Sequence, residues 1–129
     1  MSKIPLSILI PCRNEEKNIA RCLEPIADWV DEIVVVDSQS TDRTQEIVES
    51  YGAKFIQFNY TGGWPKKRQW ALDNFSFRNN WILLLDSDEI ILPSIKKEIE
   101  QAIQSDHYDG YWIRFQIYFL GRLLKFGGT

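Results

Sequence analysis

Trp81-Ile82-Leu83-Leu84-Leu85, followed at once by Asp86-Ser87-Asp88-Glu89, is the stretch from which the fold can be read. Five apolar residues in a row have the signature of a strand buried on both faces. Such a strand delivers a cluster of carboxylates at its C-terminal end, and in open α/β sheets the carboxyl ends of the strands are where ligands bind. Side chains at i and i+2 of an extended segment point the same way. Asp86 and Asp88 are then placed to share one hard cation, Mg²⁺ or Mn²⁺, which takes oxygen ligands. The same residues also read as a strand that ends in an acidic turn, and an isolated D-x-D does not decide between the two.

Working outward from that strand, strand and helix signals alternate. Ile4 to Pro11 is a strand, and Asn14 is placed to cap a helix from Glu15 whose Ile19, Leu23, Ile26 and Val30 share one face. Glu32 to Asp37 is a second buried-type strand. Asp42 and Gln45 have capping-box spacing before a helix that Gly52 would close. Lys54 to Tyr60 is a third strand, Thr61-Gly62-Gly63 a turn, and Pro65 suits the first position of a helix running to about Asn74. After the Trp81 strand, Pro93 opens a helix with Ile95, Ile99 and Ile103 on one stripe, and Tyr111 to Leu120 is a fifth strand. This alternation predicts an α/β fold: a mainly parallel open sheet with helices on both faces.

At 129 residues the chain is expected to be one domain with a real core. Its 44% hydrophobic and 26% charged residues exclude disorder, and a formal charge of −3 argues against nucleic acid as a general partner. No apolar run approaches the ~18 residues of a membrane span. The first residues lack a signal-peptide pattern, so the expected compartment is the cytoplasm. With His107 as the one histidine and Cys12 and Cys22 as the cysteines, there is no zinc-ligand spacing and no support for a hydrolase triad. Residues 110–126 are basic, aromatic and apolar without an acid. That bias marks them for packing against further protein, for self-association, or for peripheral contact with a membrane.

Three loops converge on the expected carboxyl edge: Pro11-Cys12-Arg13-Asn14-Glu15, Asp37-Ser38-Gln39-Ser40-Thr41-Asp42 and Asp86-Ser87-Asp88-Glu89. Lys66, Lys67 and Arg68 supply cations for phosphate or base contacts, or else form a solvated helix face. Pro11-x-x-Asn14-Glu15, Val35-Val36-Asp37-Ser38-x-Ser40-Thr41-Asp42-x-Thr44, Lys67-Arg68 and Leu85-Asp86-Ser87-Asp88-Glu89, in this order, resemble a family 2 glycosyltransferase of the GT-A fold. The resemblance is strong from Leu6 to about Glu89. Within the family the chain looks most similar to glucosyltransferases that extend lipopolysaccharide cores, and Phe119-Leu120-Gly121-Arg122 shares that look.

The resemblance implies a metal-dependent inverting transfer of a sugar, glucose in the closest subgroup, from a UDP-sugar to a saccharide or glycolipid acceptor such as lipopolysaccharide core. It assigns Pro11, Arg13 and Glu15 to the loop that contacts the nucleoside and Asp37 to the uracil ring N–H. Arg68 falls to uracil or diphosphate, Asp86 to the ribose and metal shell, and Asp88 to direct ligation of Mg²⁺ or Mn²⁺. Where many members carry a second aspartate, this chain has Ser38. Family members are considerably longer, and no residue here matches their general base, which is expected beyond Thr129. Residues 1–129 therefore read as the nucleotide-sugar-binding part of such a domain, cut before the acceptor half. The alternative is a non-catalytic nucleotide-sugar binding module. A phospho-acceptor receiver and a nucleotidyltransferase fit less well, because the Pro11–Glu15 loop suits neither.

Overall fold

The computed structural model describes residues 3–59, 66–79, 81–105, 116–119 and 122–125, with residue 105 and the last two segments described by backbone alone. The elements are β1 (Ile4–Cys12), α1 (Ile19–Leu23), β2 (Val30–Asp37), α2 (Thr44–Ser50), β3 (Lys54–Gln57), α3 (Lys67–Asn74), β4 (Trp81–Leu84), α4 (Pro93–Ser105), β5 (Gln116–Phe119) and β6 (Arg122–Lys125). They build one sheet in the order β3-β2-β1-β4-β5-β6. The first four strands are mutually parallel, and β5 and β6 join as an antiparallel pair beside β4. The order in which successive strands are laid down reverses between β1 and β4, and such a switch point opens a crevice at the carboxyl edge.

Strand alternation divides the core into two layers. Leu6, Ile8, Ile10, Ile33, Val35, Leu83 and Leu85 pack with Ile19, Cys22 and Leu23 of α1, Val48 of α2, and Ile99 and Ala102 of α4. Leu9, Val34, Val36, Ile82 and Leu84 face the other way, onto Ala71 of α3 and Phe58, with Trp70 and Phe75 at the margin. Helices thus cover both faces, as expected. The Val34-Val35-Val36 run is wholly buried because both faces are covered. Each of these valines contributes about 1.5–3 kcal/mol by leaving water.

Several local expectations change. The helix expected from Glu15 to Val30 is a single short helix, Ile19–Leu23, followed by turns. Pro25 cannot donate to the carbonyl of Arg21, so the helical ladder breaks there, and Val30 begins β2 instead. Asn14 does not cap a helix; its backbone is left-handed, with φ of 50°. Gly52 closes α2 with φ of 77°, a conformation open to glycine without strain. The expected fifth strand is described only over Gln116–Phe119. Tyr60 to Pro65, including the glycine turn, and residues 106–115 with Asp106, His107 and Asp109 lie outside the described residues. So does most of the aromatic tail expected to contact further protein or membrane.

At the amino edge of the sheet, Glu32 is buried with a full set of partners. It accepts from the Ser7 hydroxyl at 2.7 Å, the Arg78 backbone N–H at 2.9 Å and the Lys54 ammonium at 2.6 Å. Burial acts to raise its pKa, but these donors outweigh it and hold the carboxyl below the ordinary value. The network fixes β1, β2, β3 and the turn before β4 to one another, at the end of the sheet away from the three loops.

Candidate functional site

The three acidic loops leave neighbouring parallel strands at the carboxyl edge, and the structure shows what joins the first two. Successive backbone N–H groups of the first loop are taken up by side chains of the second. The Asn14 N–H donates to Ser40 Oγ at 2.7 Å, the Glu15 N–H to Thr44 Oγ1 at 2.9 Å, and the Glu16 N–H to Asp42 Oδ2 at 3.2 Å. In return the Thr41 N–H donates to Asn14 Oδ1 at 2.7 Å. Asp42 also accepts from the Thr44 hydroxyl and, at 2.9 Å, from its N–H. Slight burial acts to raise the Asp42 pKa, but the Thr44 and Glu16 donors hold its carboxyl below the ordinary aspartate value. The expected Asp42–Gln45 capping box is therefore an Asp42–Thr44 pair, and Gln45 turns to Glu49 instead. Ser40, Asp42, Thr44 and Asn14 act as fasteners between loops 26 to 29 residues apart in sequence.

Asp37 ends β2 on the floor of this arrangement and is 1% exposed. Its Oδ2 accepts the Ser40 N–H at 2.8 Å, while its Oδ1 accepts the Ser40 hydroxyl and the Cys12 thiol, the latter at 3.3 Å. Burial pushes the Cys12 thiol far above its ordinary value, and the Asp37 charge beside it adds to the shift. Cys12 therefore remains a protonated donor at neutral pH and is no nucleophile.

Pro11 follows the last residues through which β1 pairs with β4. The Leu85 N–H reaches the Leu9 carbonyl at 3.1 Å. In a parallel ladder the next bond would run from the N–H of residue 11 to the Leu85 carbonyl, and proline has none to give. The two strands part here, and the crevice at the switch point begins. Arg13 is exposed at its rim and Glu15 is half-buried.

Asp86, Ser87, Asp88 and Glu89 are not extended. The Glu89 N–H donates to the Asp86 carbonyl at 3.0 Å and the Asp86 N–H to Glu89 Oε1 at 2.8 Å, which makes a turn. Asp86 and Asp88 therefore do not lie on one side of a strand, as the sequence predicts, because β4 ends at Leu84. Both carboxylates are nonetheless exposed, while Ser87 is buried beneath them. Burial raises the Glu89 pKa, with Asp86 and Asp88 adding to the rise against the Asp86 N–H. Among the described residues no three His, Cys, Asp or Glu side chains form a ready cage for a metal. Two exposed carboxylates on a turn suit a cation such as Mg²⁺, which takes one or two carboxylates and fills its shell with water and phosphate oxygens.

The basic stretch on α3 divides its tasks. Arg68 pairs with Asp86 at 2.9 Å, at the lip of the crevice. Lys67 instead points inward and donates to the Cys12 carbonyl at 2.7 Å. Its burial lowers its pKa, against the pull of neighbouring acids. Lys67 thus ties α3 to the end of β1, a role with no signature in the sequence, where it reads as one of three like cations.

The family model for glycosyl transferase family 2 matches residues 7–128. An uncharacterized glycosyltransferase of Rickettsia bellii is 35% identical over 112 residues, covering 87% of this chain and 37% of that protein. The lipopolysaccharide core biosynthesis glycosyltransferase LpsC of Rhizobium meliloti is 33% identical over 124 residues, covering 92% of this chain and 45% of its own length. The crystal structure of S. aureus TarS 1–349 in complex with UDP matches with a TM-score of 0.64 at 32% identity, over 78% of this chain and 32% of that one. The chain spans less than half the length of each of these relatives.

Proposed function

Because the chain belongs to glycosyl transferase family 2 and has its GT-A fold, we propose that residues 1–129 form the nucleotide-sugar-binding part of a metal-dependent inverting glycosyltransferase. The donor is a UDP-sugar, with glucose the first sugar to test, and the acceptor is a saccharide of the lipopolysaccharide-core type. The observation that carries this reading is the placement at the carboxyl edge, on either side of β1, of a buried acceptor, Asp37 at the end of β2, and of the exposed carboxylates Asp86 and Asp88 after β4 with the guanidinium of Arg68. One side suits a nucleobase N–H and the other a diphosphate with its cation. The UDP bound to TarS and the name of LpsC support the nucleotide and the acceptor class.

In this reading Asp37 accepts the uracil ring N–H, and the Pro11–Glu15 loop walls the nucleoside. Arg68 presents charge-assisted hydrogen bonds to the diphosphate, worth about 1.5–3 kcal/mol. Asp88 and Asp86 would hold Mg²⁺ or Mn²⁺, which would supply Lewis-acid stabilisation of the leaving group. The acceptor hydroxyl attacks the anomeric carbon in one displacement, the bond from that carbon to the diphosphate breaks, and UDP leaves with the electron pair. The hydroxyl proton passes to a general base.

Calorimetry tests the reading directly. UDP should bind the wild-type chain more tightly with Mn²⁺ than with EDTA, and more tightly than ADP. Asp88→Asn should remove most of the metal dependence. Affinity indifferent to metal would sink the cation assignment, and equal affinity for UDP and ADP would sink the uracil assignment.

A further inference from the structure

An ionised carboxylate offers about four lone-pair sites, two on each oxygen. Asp37 Oδ1 is filled on both sides, by the Cys12 thiol at 3.3 Å and by the Ser40 hydroxyl. Oδ2 receives one donor, the Ser40 N–H at 2.8 Å. Among the described residues nothing fills the fourth site, which lies on Oδ2. The terminal torsion of an aspartate is broad and roughly two-fold, so the backbone of β2 does not by itself fix the orientation of the carboxylate. The donors fix it. Cys12 approaches from β1 and Ser40 from the loop after β2, and Lys67 holds the end of β1 through the Cys12 carbonyl.

We propose that Cys12 and Ser40 are positioning residues that lock the Asp37 carboxylate with a single acceptor site free, and that this lock sets the preference for a nucleobase bearing a ring N–H. The inference rests on the uracil assignment above and goes beyond it in naming what enforces it. Uracil presents an N–H at the ring position where cytosine presents a lone pair. A carboxylate fixed in orientation attracts the first and repels the second. A carboxylate free to turn can move its charge away from cytosine and lets it in. Discrimination therefore depends on rigidity as well as on charge.

Cys12 also looks like a small core residue, and a purely structural role predicts a different result. If Cys12 only packed, Cys12→Ala would weaken every nucleotide alike. If it positions Asp37, the variant should lose affinity for UDP while affinity for CDP holds or rises, so that the UDP/CDP ratio falls roughly threefold to tenfold. Cys12→Ser keeps a donor and should recover most of the ratio. Ser40→Ala, which removes a donor to Asp37 and the acceptor of the Asn14 N–H, should lower the ratio at least as far.

The experiment is calorimetric titration of UDP and CDP, with Mn²⁺ present, into the wild-type chain, Asp37→Ala, Cys12→Ala, Cys12→Ser and Ser40→Ala. The expected result is a wild-type preference for UDP, abolished in Asp37→Ala, reduced in Cys12→Ala and Ser40→Ala, and restored in Cys12→Ser. A wild-type preference that Asp37→Ala abolishes but Cys12→Ala leaves intact overturns the positioning role and spares the uracil assignment. So does an equal loss of UDP and CDP in Cys12→Ala. A wild-type chain with no preference for UDP overturns the uracil assignment itself, and the positioning role with it.

Discussion

Replacing Thr44 with valine puts the fastening of the loops after β1 and β2 to the test. Thr44 is fully buried; its hydroxyl accepts the Glu15 N–H at 2.9 Å and donates to Asp42. Valine keeps the shape and branching of the side chain and removes both bonds. The Glu15 N–H is left without its acceptor, at a cost of about 1–3 kcal/mol, and the Asp42 carboxylate loses a donor. Together these should lower stability by about 2 kcal/mol, read as a shift in the urea midpoint at unchanged slope. Thr44→Ser supplies the contrast: it gives up one methyl group, about 1 kcal/mol, but keeps both hydrogen bonds. Valine should therefore weaken UDP binding along with stability, whereas serine should lower stability and leave UDP affinity near that of the wild type. Two results would refute the reasoning. A valine variant as stable as the wild type would mean that the hydroxyl bonds do not form. A destabilised valine variant with unchanged UDP affinity would mean that loop fastening does not reach the pocket.

The acid limb of the stability profile should belong in large part to Glu32. Its folded pKa lies below the ordinary value of 4.5, so its contribution is fully present above that value and is lost as pH falls through the lower, folded one. Urea midpoints measured from pH 7 down to pH 3 should fall less steeply for Glu32→Gln than for the wild type, and parallel curves would count against this. Arg68→Gln should separate stability from binding. The Arg68–Asp86 pair is partly exposed, so its loss should change stability by less than about 1 kcal/mol, while UDP affinity falls about tenfold. An Arg68→Gln chain that binds UDP normally would remove Arg68 from the diphosphate site.

The parts of the fold legible in the sequence were those governed by burial on two faces. Ile33 to Val36 and Trp81 to Leu85 are apolar without interruption because helices cover both sides of the sheet, and that pattern alone gave the parallel core and the edge where ligands gather. Asp37 and Asp86 each directly follow such a run, and Asp88 lies two residues further on, which places all three at the carboxyl edge as candidates. From Glu15 to Val30 the apolar spacing is that of one long helix, but Pro25 lacks the donor to carry the ladder through. The roles of Ser40, Asp42, Thr44 and Lys67 were not legible for another reason. Each depends on a partner in a loop or strand that is distant in sequence and becomes a neighbour only when β1 and β2 pair and α3 docks. The turn at Asp86–Glu89 was open from the start, since a strand ending in carboxylates and a strand ending in a turn have the same sequence.

Pro11 has a consequence of a different order. At the switch point that the strand order creates, one missing backbone hydrogen ends the β1–β4 ladder at Leu85. Any other residue there would restore a backbone donor where the ladder now has none. Random substitution at this position would tend to lengthen the sheet and to close the gap between its two halves. A selection for thermal stability alone would thus draw position 11 away from proline, and a selection for nucleotide binding would hold it there. The depth of the cleft is in this sense a stability forgone, and one imino acid records it.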